Sequence, residues 1–118
     1  LKRPVDIYLD GKLIENKDKF SDVWEDYYEN GQLKRRTTLK DGKKEAVKLF
    51  YEKNGRLWKK ATYKNSKLDG VLEIYYPNGQ LEMKQTYKDG KKEGIWEEYN
   101  WSGSLQSRIT YKDDNIKE

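Results

Sequence analysis

The chain has 118 residues, 34% of them hydrophobic and 39% charged, with a formal net charge of +4. That length suits one domain with a modest core, and ten Tyr, four Trp and two Phe argue against the disorder that so much charge would otherwise suggest. With neither Cys nor His, disulfides, thiolate chemistry and imidazole bases or ligands are excluded, and no apolar run approaches the roughly 20 residues of a membrane-spanning helix.

Residues 1–18 are the least regular part of the chain. Tyr8-Leu9-Asp10-Gly11-Lys12 reads as strand, turn and strand, a degenerate leading half-repeat that would cap an array. The chain shows no signal peptide and opens at Leu1 rather than Met, a start that removal of a leader or lipid-anchor segment would explain and artificial truncation would explain equally. The compartment stays open, with a secreted or envelope setting slightly favoured over a cytoplasmic one.

From residue 19 the chain repeats. Gly31, Gly55, Gly79 and Gly103 stand 24 residues apart, which divides the sequence into units 19–42, 43–66, 67–90 and 91–114. Each glycine is preceded by a tyrosine at 27, 51, 75 or 99 and a Val or Ile at 23, 47, 71 or 95. Each is followed by a leucine at 33, 57, 81 or 105, a threonine at 38, 62, 86 or 110, then Leu39, Tyr63, Tyr87 or Tyr111. A second turn comes at Asp41-Gly42, Asn65-Ser66, Asp89-Gly90 and Asp113-Asp114, so turn signals alternate at separations of 11 and 13 residues. Short strands joined by hairpins have that cadence, and it leaves no room for helices. The expected fold is therefore all-β, an extended antiparallel meander of about four 24-residue β-hairpin repeats, with a C-terminal tail at 115–118 and a polar end, Asp113 to Glu118, that frays.

Turn chemistry predicts the faces. Tyr76-Pro77-Asn78-Gly79 has the form of a type I turn followed by a left-handed glycine, a three-residue hairpin loop. In that register the Val, Tyr, Leu and later Leu/Tyr columns fall together on one inward face. The opposite face would carry a basic column, Arg36, Lys60, Lys84 and Arg108, facing the strand positions of Trp24, Lys48, Leu72 and Trp96. Trp24 would stack on Arg36 and Trp96 on Arg108, with Phe50, Trp58, Ile74 and Tyr76 completing a candidate binding face. The same column could equally be a solvated surface. Charge is uneven along the chain: residues 34–64 hold 12 basic and 3 acidic side chains, whereas the flanking stretches are slightly acidic.

Lys67-Leu68-Asp69-Gly70-Val71, then Tyr75-Tyr76-Pro77-Asn78-Gly79-Gln80-Leu81, then Tyr87-Lys88-Asp89-Gly90-Lys91 resembles the bacterial variant of the MORN repeat. The resemblance covers about 19–114 and departs from the pattern at Ala46 and Ser66, where other units have glycine. It implies a curved hairpin meander used for protein or membrane-surface association, without catalytic residues. Bacterial members also carry an antitoxin-like label. The adjacent carboxylates Glu97-Glu98 and Asp113-Asp114 point to opposite faces of a strand and make no catalytic pair. No calcium loop or phosphate-binding glycine loop is present, and no cofactor is expected. The expected partner is a protein, with an anionic membrane surface or a cell-wall glycan as alternatives. Nucleic acid is not favoured, and open sheet edges could allow self-association.

Overall fold

The computed structural model describes residues 6–9, 12–16, 22–40 and 44–117. Among them are twelve strands and no helix: β1 (Asp6–Leu9), β2 (Lys12–Asn16), β3 (Val23–Tyr27), β4 (Leu33–Lys40), β5 (Glu45–Tyr51), β6 (Leu57–Lys64), β7 (Lys67–Tyr75), β8 (Leu81–Lys88), β9 (Lys91–Lys92), β10 (Gly94–Tyr99), β11 (Leu105–Lys112) and β12 (Asn115–Ile116). They form one sheet in the order β2-β1-β3-β4-β5-β6-β7-β8-β10-β11-β12, with the short β9 also beside β8. From β3 onward every pairing is antiparallel. The expected all-β hairpin meander is what the chain forms.

Two end regions differ from expectation. β1 and β2 make a hairpin, but β1 runs parallel to β3, with Asp6 opposite Trp24 and Leu9 opposite Tyr27. A meander would have placed an antiparallel strand there. At the other end Asp113 and Asp114 adopt φ of 47° and 70°, the signature of a type I′ turn. That turn folds β12 back onto β11, so Asn115–Ile116 is paired where a frayed tail was expected.

The sheet is one layer thick. Its principal extents are 50 × 33 × 17 Å and its radius of gyration is 16.4 Å, against roughly 13.5 Å for a compact domain of this length. Among the described residues only Ala61 (0% exposed) and Leu72 (6%) are buried. Stability therefore rests on hydrogen-bonded ladders and half-buried side chains more than on a central core.

Each 24-residue unit makes its first turn as read from the sequence. Gly31 N donates to Tyr28 O at 2.9 Å and Tyr28 N to Gln32 O at 2.8 Å, and the same pair of bonds recurs around Gly55, Gly79 and Gly103. All four glycines have φ near +90°, a region costly for residues with a Cβ. A second irregularity follows each turn. Tyr27 lies opposite Leu33 but Asp26 opposite Arg35, so Lys34 is an extra residue in its strand. Trp58, Glu82 and Gln106 are extra in the same way.

That second bulge overturns the single apolar face. Beyond it the partner strand is slipped by one residue, and a one-residue slip exchanges the faces. Val23 lies opposite Thr38 and Val71 opposite Thr86. The Val, Tyr and post-turn Leu columns thus share a face with the threonines, whereas Leu39, Tyr63, Tyr87 and Tyr111 point to the other side. Glycine variation has a local effect too. Gly70 and Gly94 take φ of 106° and 83°, and pairing is interrupted beside each. Where the second unit has Ala46, β4 and β5 pair without a break from Arg35↔Phe50 to Lys40↔Glu45. Ser66 replaces a turn glycine yet still takes φ of 66°, so the type I′ turn survives there.

Candidate functional site

The basic column lies on the face of the Val and Tyr columns. Across that face one row of the sheet reads Glu25, Arg36, Leu49, Lys60, Glu73, Lys84, Glu97 and Arg108. Apart from Leu49 its neighbours alternate in sign. Arg36 donates to Glu25 at 2.6 and 2.9 Å, and Arg108 to Glu97 at 2.8 and 3.0 Å. Hydrogen bonding to Glu25 raises the Arg36 pKa, and hydrogen bonds from Arg108 and Tyr99 hold the Glu97 carboxyl below its usual range. This ladder face is charge-matched within itself.

The predicted binding residues are therefore divided between two faces. Arg36, Lys60, Lys84 and Arg108 sit on the ladder face. Trp24, Phe50, Trp58, Ile74, Tyr76 and Trp96 sit on the opposite, aromatic face. Trp24 is opposite Thr37 rather than Arg36, and Trp96 is opposite Ile109 rather than Arg108, so the two expected Trp–Arg stacks do not form. The cause is again the extra residue at 34 and 106.

The aromatic face has its own cations, of which the expected register had already placed Lys48 there with Trp24, Leu72 and Trp96. Lys34 Nζ lies 5.6 Å and Lys53 Nζ 5.9 Å from the centre of the Tyr28 ring. Lys59 Nζ is 5.1 Å from Phe50 and 5.9 Å from Trp58, and Lys48 Nζ is 5.0 Å from Tyr63. These distances suit cation–π attraction. Arg35 pairs with Asp26. Two adjoining hollows open here. One of about 420 Å³ is lined by Asp26, Tyr28, Lys34, Arg35, Phe50, Tyr51 and Trp58. The other, about 400 Å³, is lined by Trp24, Arg35, Thr37, Leu39, Lys44, Ala46, Lys48, Tyr63 and Ser66. Arg35 borders both, so they read as one trench along the strands.

Four tandem hairpins of one length, with matching turns and matching columns, define a repeat array, and the MORN repeat variant family matches residues 23–41, 44–65, 68–89 and 92–113. The chain belongs to that family. No curated protein and no solved structure matches it. MORN repeats are a non-enzymatic module that commonly serves in binding.

Side-chain hooks, added to the continuous ladder, link the four MORN repeats two by two. Tyr28 Oη donates to Tyr51 O and Tyr76 Oη to Tyr99 O, both at 2.7 Å. Asn30 Nδ2 donates to Lys53 O at 3.0 Å and Asn78 Nδ2 to Trp101 O at 2.9 Å. The corresponding residues of the second repeat are Glu52 and Asn54, and among the described residues no such bonds run from the second repeat to the third. On the far edge Asp69 accepts from the Asp89 amide at 3.0 Å and Glu93 from the Asp113 amide at 3.2 Å. The Asp113 amide is the first cause of a lowered Glu93 pKa.

The aromatic surface of the last two MORN repeats is closed. Trp96 lies between Tyr87 and Tyr111, with ring centres 5.1 and 5.0 Å away, and its Nε1 donates to Thr86 O at 2.8 Å. Tyr76 stacks on Trp101 at 5.0 Å. A hollow beside Gln85, Trp96 and Ile109 holds about 130 Å³, and Lys92 Nζ covers the rings of Trp96 and Tyr111 at 4.9 and 5.0 Å. Among the described residues no group of carboxylates converges to hold a metal ion, and no helix is long and apolar enough to cross a membrane.

Proposed function

We propose that this chain is a non-catalytic scaffold that binds a protein partner through the aromatic face of its sheet. The observation that carries this reading is the trench of the first two repeats, where rings stand together with ammonium groups that have no carboxylate partner among the described residues. Trp58 is 37% exposed at its mouth. Aromatic side chains in hollows supply contact area at low entropic cost, and cations around them set orientation. The contacting residues on this reading are Trp24, Phe50 and Trp58, extended by Ile74, Tyr76 and Trp96. Lys34, Arg35, Lys48 and Lys59 take the place of the ladder-face cations.

A photoreactive amino acid placed at 58 or at 60 tests the assignment, since the two positions face opposite sides. Protein adducts are expected from position 58 and not from 60, and Phe50→Ala should suppress them. Equal yields from both faces, or adducts only with lipid or glycan, would reject it. Charge reversal of Arg36 and Lys60 should leave capture intact.

A further inference from the structure

We infer, resting on the aromatic-face reading, that the trench of the first two repeats receives an extended acidic segment of the partner, about seven or eight residues long. The occupant follows from charge. The carboxylates at the trench, Asp26 and the neighbouring Glu52, are taken by Arg35 and Arg56. Lys34, Lys48, Lys53 and Lys59 have no carboxylate within salt-bridge distance among the described residues. What the trench offers a ligand is positive charge set over apolar rings, and a carboxylate-bearing segment with interspersed apolar side chains complements both.

The length follows from the floor. The two hollows run beside β4, an eight-residue strand, from the bulged-turn edge at Tyr28 to the type I′ edge at Ser66. At about 3.3 Å per residue an extended chain of similar length spans it. Carboxylates at the two ends would meet Lys34 and Lys59 at one and Lys48 at the other. The same features disfavour other polyanions. Nucleic acid would need open rings for stacking and a continuing cationic track, but these rings lie under ammonium groups, and Glu82 and Glu98 occupy the same face in the next two repeats. A bilayer presents a plane, which does not enter a hollow between side chains.

Fluorescence anisotropy with a fluorescein-labelled octapeptide of alternating Glu and Phe tests the inference directly. The wild-type chain should bind it, the affinity should fall with added salt, and a Gln/Phe octapeptide should bind at least tenfold more weakly. Lys34→Glu with Lys59→Glu should weaken binding at least tenfold, and the neutral pair Lys34→Gln with Lys59→Gln should do so by a smaller factor if the reversed pair fails to fold. Lys84→Glu, on the ladder face, should change nothing. Absence of peptide binding, equal binding by the double variants, or binding only to phosphatidylserine-containing vesicles would overturn the acidic-segment assignment. Protein adducts from position 58 persisting in that event would leave the aromatic-face reading standing, whereas their loss would remove both.

Discussion

Tyr28 and Tyr76 occupy equivalent places 48 residues apart, make the same 2.7 Å bond to the following repeat, and look out on different surfaces. The aromatic face of the first pair of repeats carries Asp26, Lys34, Arg35, Lys48 and Lys59. The second pair has Ile74, Glu82, Met83, Trp96 and Ser107 at the same positions. Lys48 and Leu39 stand where Trp96 and Tyr87 stand in the second pair, and with those two exchanges a hollow rimmed by an ammonium group gives way to a packed Tyr-Trp-Tyr cluster capped by Lys92. A shared backbone thus carries two surfaces. The hydrogen-bonded hooks and the charge-matched ladder hold the frame constant, so side chains on the aromatic face can change with little effect on the fold.

The comparison is sharpest at that exchanged pair. Trp96→Ala should cost about 2–3 kcal/mol, because it removes a half-buried ring and its hydrogen bond to Thr86 O. Lys48→Ala should stay within about 0.5 kcal/mol. Urea denaturation of the two variants measures both, and equal losses would end the distinction between a closed and an open half. Backbone substitutions come next. Gly94→Ala forces a Cβ at φ of 83° with Thr86 Cβ 3.5 Å away, and should cost about 1–2 kcal/mol. The mirror change Ala46→Gly, in a regular ladder, should cost no more than about 1 kcal/mol. A Gly94→Ala variant as stable as wild type would mean that the interruption beside β10 is not fixed by that glycine.

Smaller effects probe what the pairs share. Tyr28→Phe and Tyr76→Phe each delete one hook and should each lose about 1 kcal/mol; unequal losses in thermal melts would show that the pairing is not symmetric. The weakest contrast is acid sensitivity. Glu93 and Glu97 both belong to the last repeat, and both have pKa values held below the ordinary range, by the Asp113 amide and by Arg108 respectively. A depressed folded-state pKa gives stability that is present above the unfolded value, about 4.3 for Glu, and is lost as pH falls through the folded one. The melting temperature should hold steady from neutral pH to about 5 and fall below about 4. Glu93→Gln with Glu97→Gln should flatten that fall, and an unchanged pH profile would show these carboxylates to be bystanders.

The sequence alone determined the period, the strand cadence and the first turn. Gly31, Gly55, Gly79 and Gly103 recur where a left-handed residue is required, and local chain stereochemistry dictates what happens there. It also marked Trp24, Phe50, Trp58, Ile74, Tyr76 and Trp96 as residues of one face, which the tertiary structure places together. The separation of Arg36, Lys60, Lys84 and Arg108 from them was not legible. Lys34, Trp58, Glu82 and Gln106 have no common side-chain signature, so nothing local announces that each is an extra residue in its strand. The second bulge is set by how neighbouring strands align across the sheet, and a slip of one residue there moves whole columns to the other side. The parallel seating of β1 on β3 was likewise decided by tertiary structure, because strand direction at a sheet edge depends on the path of the chain and leaves no periodicity to read.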